Sequence, residues 1–248
     1  MVKRHRPGAS GQSPNRLLAA LPLDDYLRLL PALKPFPLKL KKVLYKPGDV
    51  VDEVYLPGGG FVSVVTVLAN GDTVEVATIG REGIIGVSAS TAGYRETSLT
   101  VVQMETETCV RMPAAAFRRE MDRRGSFFEI VTSFSQALLG ATMQLAACNA
   151  IHRIEQRLAR WLLMAHDRVG ADQFPLTQEL VAMMLGAARP TVTIVAGTLQ
   201  RAGLITYKRG QVVIVNRTSL EEASCECYSA TTALLHRIPA DPAPRGQA

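Results

Sequence analysis

The segment FPLTQELVAMMLGAARPTVTIVAGTLQRAGLITYKRGQVVIV, residues 174–215, decides how the C-terminal third of the chain folds. Its first part predicts two short helices that meet at a glycine. Thr177 stands before a helix predicted over Gln178–Leu185, because a threonine there can cap the free N–H groups of the first turn. Gly186 provides the turn. The second helix is predicted over Pro190–Ala202, since proline is tolerated in the first helical turn, where its missing N–H has no partner.

The last part of this segment predicts a β-hairpin. Gly203 ends the second helix, and two apolar runs, Leu204–Tyr207 and Val212–Val215, flank a basic turn at Lys208–Gln211. Two helices joined by a glycine turn and followed by a basic hairpin are typical of a winged helix-turn-helix. In such domains the second helix enters the major groove of DNA. Double-stranded DNA is therefore an expected partner.

The predicted DNA contacts follow from side chains at the start of the second helix and in the hairpin. Arg189 has a planar fork that can donate to both acceptors of a guanine. Thr191 and Thr193 can donate to phosphates, and the two basic residues of the hairpin can bind the backbone. A winged helix that contacts only protein is the alternative. The predicted DNA-binding set is Thr177, Gln178, Arg189, Pro190, Thr191, Thr193, Ile194, Lys208 and Arg209.

Charge is distributed unevenly along the 248 residues, whose net charge is +6. Residues 17–150 carry 13 Lys or Arg against 14 Asp or Glu, whereas residues 151–217 carry 9 against 4. Positive charge thus coincides with the predicted helix-turn-helix, which favours attraction to phosphate. The chain is 47% hydrophobic and 20% charged, a composition that indicates a buried core.

Upstream, the sequence predicts a compact antiparallel β-barrel or jelly roll. Short β-branched runs are separated by turn signals, with no helix between most of them. Asn70-Gly71 is a strong hairpin signal, because both residues tolerate positive φ. A helix is predicted before the barrel, over Leu17–Leu33. The predicted strands are Val50–Leu56, Phe61–Leu68, Thr73–Ile79, Leu99–Met104 and Thr108–Met112.

After the barrel, a short helix over Ala114–Arg124 precedes a long apolar one. Ser126 and Glu129 have the spacing of a capping box, and the long helix is predicted to run through Asn149. Its apolar residues recur at alternating spacings of four and three, as in a two-stranded coiled coil. We expect this seam to join two subunits into a homodimer; a core helix lying on the barrel is the alternative. The seam is Phe127, Val131, Phe134, Leu138, Ala141, Leu145 and Cys148, and a second apolar side comprises Phe128, Ile130, Leu139 and Met143.

An amphipathic helix predicted over Ile151–Val169 opens the C-terminal domain, with Arg153, Arg157, Arg160 and Arg168 on its solvated side. The predicted fold class is α+β. The expected organisation is a disordered basic arm at 1–16, a jelly-roll sensor domain at 17–125, a dimerisation helix at 126–150, a winged helix-turn-helix domain at 151–218, and a C-terminal helix with a disordered tail at 219–248.

Several functional classes are disfavoured by the sequence. No run approaches the roughly 18 apolar residues of a membrane span, and the N-terminus lacks the apolar core of a secretory signal. A cytoplasmic protein without a membrane partner is expected. No Gly-x-Ser-x-Gly, phosphate loop or Ser/His/Asp set indicates an enzyme. Cys225 and Cys227 could bind a metal or form a redox couple, but no second Cys/His pair stands near them at zinc-finger spacing, so neither a metal site nor a cofactor is predicted.

Three motifs carry a family resemblance: Lys46-Pro47-Gly48-Asp49, Glu82-Gly83-Ile84-Ile85-Gly86, and the stretch from Gly186 to Thr193. With the heptad helix, they make the chain resemble the Crp/Fnr family of bacterial regulators over roughly Leu17 to Thr218. The resemblance implies a cyclic-nucleotide-binding-like jelly roll and a homodimer on a palindromic site, with Arg189 at the position of a base-contacting arginine. RNA polymerase is an expected partner if the regulator activates. Since Pro190 and Ile194 replace an acidic residue and an arginine, base preference should differ from that of the cAMP receptor.

The same resemblance locates a candidate effector pocket at Gly86, Val87, Arg95, Thr97 and Ser98. Cyclic-nucleotide binders of the family carry a glutamate for the ribose and an arginine for the phosphate. Both anchors are missing here, and Arg95 lies two residues early. A phosphate buried without a cation is disfavoured, so cAMP and cGMP are not expected to bind in the usual way and the effector stays unknown. The alternative function is a sensor of a cyclic nucleotide or other small molecule that works through protein contacts.

Overall fold

The computed structural model describes residues 13–237 and has the α+β fold that the sequence predicts. Seven short strands form the N-terminal β-barrel, in two sheets with the orders β1-β7-β3 and β2-β6-β4-β5. All five predicted strands are present, and two more precede them. The strands are β1 (Lys34–Pro35), β2 (Val43–Tyr45), β3 (Glu53–Leu56), β4 (Phe61–Val67), β5 (Thr73–Gly80), β6 (Leu99–Met104) and β7 (Val110–Pro113).

The predicted hairpin turn joins β4 and β5, which pair antiparallel. Leu68 N donates to Asp72 O at 2.8 Å, and Gly71 N donates to Leu68 O at 2.9 Å. Gly71 has φ +88°, whereas Asn70 is not in the left-handed region. The turn is therefore a three-residue loop with its glycine in the left-handed position, a common hairpin type, and only one residue of the Asn-Gly pair uses its tolerance for positive φ.

The N-terminal helical segment is shorter and more broken than predicted. It comprises α1 (Arg16–Ala19) and α2 (Leu23–Leu29), which continues as a 3-10 turn over Leu30–Ala32. The predicted continuous helix is wrong because Pro22 has an extended backbone between α1 and α2, with φ −53° and ψ 146°.

The predicted disordered arm also ends earlier than residue 16. Asn15 is 1% exposed, and its Nδ2 donates to Pro57 O at 2.8 Å and Gly83 O at 2.9 Å. Its Oδ1 accepts from the backbone N–H groups of Leu17 and Leu18, which caps α1. The rest of the predicted arm, residues 1–12, lies outside the described residues.

Two helices follow the barrel, α3 (Ala114–Asp122) and the 26-residue α4 (Ser126–Ile151). The predicted capping box does not form, because Gly125 is the N-cap and no side chain bonds the first turn. Among single helices of residues 13–237, α4 is long and apolar enough to cross a membrane by composition, with mean hydropathy 1.2 over 18 residues. The expectation that no segment approaches this limit is therefore corrected. An interface helix that packs apolar residues on several sides has the same composition.

The C-terminal region starts with α5 (Ile154–Val169) and contains the predicted winged helix-turn-helix. Its three strands form a sheet of order β8-β10-β9. The single helix predicted after residue 218 is two helices, α8 and α9, and residues 238–248 of the predicted tail lie outside the described part. The elements are β8 (Gln173–Pro175), α6 (Gln178–Leu185), α7 (Arg189–Arg201), β9 (Ile205–Lys208), β10 (Gln211–Ile214), α8 (Arg217–Ala223) and α9 (Cys227–His236).

The barrel and the C-terminal region pack against each other through α5. Phe61 of the barrel and Trp161 of α5 meet edge to face, with ring centroids 5.9 Å apart. The predicted solvated side of α5 is therefore wrong at two arginines, since Arg160 and Arg168 are 6% and 9% exposed. Arg157 is half-buried and only Arg153 is exposed. Sequence periodicity alone could not show that the barrel covers this face.

Candidate nucleic-acid interface

The helix-turn-helix is built by α6 and α7, whose axes differ in direction by 99°. Thr177 caps α6, its Oγ1 accepting from Leu180 N at 3.2 Å. Gly186 ends α6 with φ +58°, the left-handed conformation that glycine adopts without a steric penalty. Because the chain turns sharply there, α7 crosses α6 instead of continuing its direction.

The two faces of α7 have opposite characters. Val192, Val195 and Leu199 are at most 4% exposed and face the core of the domain. Thr191 is half-buried. Among residues 13–237 no side chain caps the first turn, so the N–H groups of Arg189 and Thr191 can meet a phosphate. The exposed residues at this end are Arg189, Pro190, Thr193 and Ile194, the last 66% exposed.

The Arg189 guanidinium forms an ion pair with Glu179 of α6. The two side chains are 58% and 62% exposed, so the pair lies at the surface. A second contact between the helices is the hydrogen bond from Gln178 Nε2 to Thr193 Oγ1, at 3.3 Å. Sequence reasoning included Gln178 but missed Glu179. The sequence separation between Glu179 and Arg189 does not by itself show that the two side chains meet.

The hairpin β9–β10 places its two basic residues at the tip. Lys208 pairs with Gln211, and Arg209 and Gly210 form the two-residue turn between them, with φ +51° and +72°. Positive φ at both positions is typical of a type I′ turn. Lys208 and Arg209 are exposed. Tyr207 Oη donates to Leu176 O at 2.9 Å, which fixes the hairpin to the segment before α6.

The candidate effector residues lie together at the barrel, on either side of a surface loop. Gly86 has φ +82° and lies against Tyr45 and Glu53, and Val87 starts a short 3-10 helix. The Arg95 side chain is directed outward, where its Nη1 donates to Gly48 O at 2.8 Å.

Glu96 fills the position at which an anion would meet the Thr97–Ser98 segment. Its Oε1 accepts from Thr97 N at 2.9 Å, from Ser98 N at 3.2 Å and from Ser98 Oγ at 2.9 Å. Three donors that could bind a phosphate are therefore directed at a carboxylate of the same chain. Sequence reasoning followed the missing arginine and missed this glutamate.

At both ends of α4, the residues of the predicted dimer seam pack against other elements of the same chain. Phe127, Val131 and Phe134 are at most 2% exposed in the barrel core, and Cys148 is fully buried against α9. Leu138, Ala141 and Leu145 line a crevice shared with α5 and α9. A different face of α4 is open to solvent in the chain, and it comprises Gln136, Leu139, Met143, Ala146, Ala147 and Ala150.

Two buried carboxyl groups connect the barrel to α5. Glu75 accepts hydrogen bonds from Ser63 and from Trp161 Nε1, the latter at 2.9 Å. Burial raises the pKa of Glu75 to about 7, although these hydrogen bonds oppose the rise. Burial alone would also raise the pKa of Glu82, but the Arg168 guanidinium, 2.8 Å away, and backbone N–H groups outweigh it and leave that pKa below its ordinary value.

A cavity of about 360 Å³ lies beside this junction. Four arginines contribute to its wall, two of them engaged by acids: Arg168 by Glu82, and Arg217 by Asp167 and Glu221. The arginines come from α1, the end of β5, α5 and α8, so the sequence pattern gave no signal for this cavity. They are Arg16, Arg81, Arg168 and Arg217.

Comparisons with known proteins agree with this geometry. Residues 36–124 match the cyclic nucleotide-binding domain family, and residues 156–223 match the Crp-like helix-turn-helix domain family. The Global nitrogen regulator of Synechococcus elongatus is 22% identical over 195 residues, which cover 73% of this chain and 85% of that protein.

Solved structures share the fold at low identity. FixK2 from Bradyrhizobium japonicum superimposes with a TM-score of 0.66 at 17% identity, covering 78% of this chain and 98% of that one. The c-di-GMP responsive regulator CLP of Xanthomonas campestris gives 0.64 at 15% identity, covering 78% and 99%.

Proposed function

The chain belongs to the Crp/Fnr family of DNA-binding transcription regulators, and we propose that it binds a palindromic DNA site as a homodimer. The observation that carries the proposal is the exposed N-terminal end of α7, with Arg189 at its first position and the basic hairpin beside it. In this proposal Arg189 donates to a guanine in the major groove. Thr191, Thr193, Lys208 and Arg209 contact the phosphate backbone.

Because Arg189 is paired with Glu179, it must exchange this carboxylate for a base when it recognises DNA. On DNA the guanidinium leaves a surface carboxylate and donates to guanine O6 and N7 instead. An exposed ion pair contributes about 0–1 kcal/mol, whereas a bidentate contact to the right base contributes about 1–3 kcal/mol. The exchange is therefore favourable at a guanine. At a base that cannot accept both hydrogen bonds, Glu179 competes with DNA for Arg189.

We place the dimer interface on the open face of α4 rather than on the seam predicted from the sequence. Leu139 and Met143 are 61% and 66% exposed in the chain and, four residues apart, adjoin each other on one face of α4. The open positions 136, 139, 143, 146 and 150 recur at alternating spacings of three and four, the spacing of a two-stranded coiled coil. The same proposal includes two further expectations. The domains divide at 17–125, 126–150 and 151–218, and the two half-sites of the palindrome are separated by roughly 34 Å.

The sensor domain is proposed to work without the usual cyclic-nucleotide anchors. A cyclic phosphate entering the Thr97–Ser98 segment would meet the Glu96 carboxylate, and two negative charges at close range repel strongly in a half-buried site. The residues Gly86, Val87, Arg95, Thr97 and Ser98 therefore remain a candidate pocket for a ligand of different charge. If the regulator activates transcription, RNA polymerase is its expected partner.

The experiment that tests this function is selection of genomic fragments by the purified, ligand-free full chain. Enrichment of one palindrome, with binding that weakens steeply as salt rises, supports a specific DNA-binding dimer. Weak binding to every fragment without salt dependence would instead favour a sensor that works through protein contacts. The selection is repeated with cAMP and with cyclic di-GMP, to which the Xanthomonas campestris relative responds.

A further inference from the structure

Three cysteines and one histidine meet where the end of α4, the start of α5 and the start of α9 come together. The ligand atoms of Cys148, His152, Cys225 and Cys227 all lie within 4.8 Å of one another. The three cysteines are at most 3% exposed and form a small buried cluster of their own. Sequence reasoning weighed only the Cys-x-Cys pair, because its complement, the Cys148-x-x-x-His152 pair, lies more than seventy residues upstream.

Two distances in the cluster are close to the edges of a tetrahedral metal site. Cys148 Sγ and Cys225 Sγ are 3.5 Å apart, and Cys227 Sγ and His152 Nδ1 are also 3.5 Å apart. A zinc ion with bonds of about 2.3 Å to sulfur and 2.0–2.1 Å to nitrogen has tetrahedral edges of about 3.8 Å between sulfurs and 3.5 Å between sulfur and nitrogen. The sulfur atoms are not at the bonding distance of a disulfide, about 2.0 Å.

The groups around the cluster are those that support a zinc-bound histidine and thiolates. His152 Nε2 lies 3.1 Å from Glu226 Oε1, so the ring nitrogen that does not face the sulfurs is held by a carboxylate. Histidine ligands of metals almost always donate their second N–H to such a group. Gln144 Nε2 donates to Cys227 Sγ at 3.0 Å. This hydrogen bond stabilises a thiolate sulfur.

The charge of the surroundings also fits a metal–thiolate centre. Three thiolates and one Zn²⁺ have a net charge of −1. Arg157 and Arg160 lie in the first two turns of α5, which directly follows Cys148 and His152 in the chain. The Nε atoms of both are buried and have no hydrogen-bond partner among residues 13–237. Arg160 is 6% exposed, and a buried cation is stabilised by nearby negative charge, which the centre would add.

We propose that Cys148, His152, Cys225 and Cys227 bind one Zn²⁺ ion in a tetrahedral site that fastens α9 to the end of α4. Three thiolates and one imidazole are a ligand set typical of structural zinc. The site joins the segment at which α4 gives way to the DNA-binding region, so the ion fixes the direction in which that region leaves α4. The close approach of α9 to α4 continues along the helices, where Leu234 packs against Gly140.

Elemental analysis of the purified full chain, prepared without added metal and with reductant, tests the site directly. We expect about one zinc ion per chain. Cobalt substitution should give the intense visible absorption of a tetrahedral cobalt–thiolate centre. Three results would each overturn the proposal. The first is iron in place of zinc, and the second is no tight binding of zinc or cobalt. The third is a Cys148–Cys225 disulfide, detected by mass spectrometry after purification in air.

Matched variants separate the site from general effects of losing a cysteine. Cys225→Ser should remove bound zinc and lower the melting temperature, whereas Cys109→Ser, at a buried cysteine in the barrel core, should keep the zinc. Glu226→Gln should weaken zinc binding about 10- to 100-fold by loosening His152, and Glu222→Gln on α8 is its exposed control. If Cys225→Ser does not fold, removal of zinc from the native chain by a chelator supplies the same readout. Equal zinc content in all four variants would contradict the site.

Discussion

The helix-turn-helix and the loop at residues 95–98, the sensor loop, offer opposite surroundings to an incoming anion. At the start of α7 a cation is exposed, and within residues 13–237 its guanidinium is held only by the surface pair with Glu179. In the sensor loop the donors of Thr97 and Ser98 are already satisfied by Glu96, and Arg95 is directed elsewhere. The comparison teaches that two regions of one chain can differ in whether their donors and cations are available to an anion.

The largest effect is expected from breaking the proposed dimer, because binding to a palindrome uses two half-sites. Replacing both Leu139 and Met143 by Glu puts charges into the open face of α4, which should give a monomer. Losing the second half-site should lower DNA affinity by about 10²- to 10⁴-fold. Sedimentation and DNA titration measure the two effects. The matched control is Ala115→Glu, at an exposed position of α3. An unchanged dimer would show that α4 associates through another face.

Replacing Arg189 by Ala tests the exposed cation itself. The variant should lose about 1–3 kcal/mol of binding free energy at the selected site, because the guanine loses its bidentate partner, and specificity should relax at one base position. Titration against the selected palindrome and a single-base series measures both. Arg119→Ala removes the same charge from an exposed position of α3 and should have no such effect. An equal loss on random DNA would mean that Arg189 meets only phosphate.

The contact between barrel and α5 should depend on pH through Glu75. Its pKa is raised by burial to about 7 in the folded chain and is near 4.5 when unfolded. The unfolded state therefore ionises first, so stability should fall as pH rises from about 4.5 to about 7 and then stay level. The fall between pH 5.5 and 7 should be about 2 kcal/mol. Glu75→Gln should remove this slope in chemical denaturation, whereas Glu105→Gln, on the barrel surface, should retain it. A Glu75→Gln slope equal to that of the native chain would contradict the assignment.

The smallest effect concerns the competitor of Arg189. Glu179→Gln removes the carboxylate but keeps the side-chain length. The Arg189 guanidinium can then bind DNA without first breaking an ion pair. Affinity for the palindrome should rise by about two- to fivefold, as expected for loss of an exposed ion pair. The same titration measures it, with Glu155→Gln as a control in the same domain. A fall in affinity would indicate that Glu179 positions Arg189 rather than competing for it.

The same contrast shows what the sequence could predict. Local signals located the strands, the hairpin turn and the helix-turn-helix, because glycine turns, caps and apolar periodicity act over a few residues. The heptad of α4 correctly indicated an apolar helix but did not reveal that Phe127 and Val131 belong to the barrel core. That distinction depends on how distant elements pack.

Contacts between distant residues were missed for the same reason. The Glu96 carboxylate, the Glu179 partner of Arg189 and the meeting of Cys148 with Cys225 each require the folded chain. Residue types alone marked Cys225 and Cys227 as unusual, but only the fold brings a second pair of ligands to them.

Titration of the selected palindrome with the full chain, with and without saturating cAMP, tests the central claim most directly. We predict that the ligand-free chain binds the palindrome as a dimer and that cAMP changes neither the affinity nor its salt dependence. Binding that is absent until cAMP is added would contradict the account, because a cyclic phosphate would then have to displace Glu96 and draw Arg95 away from Gly48.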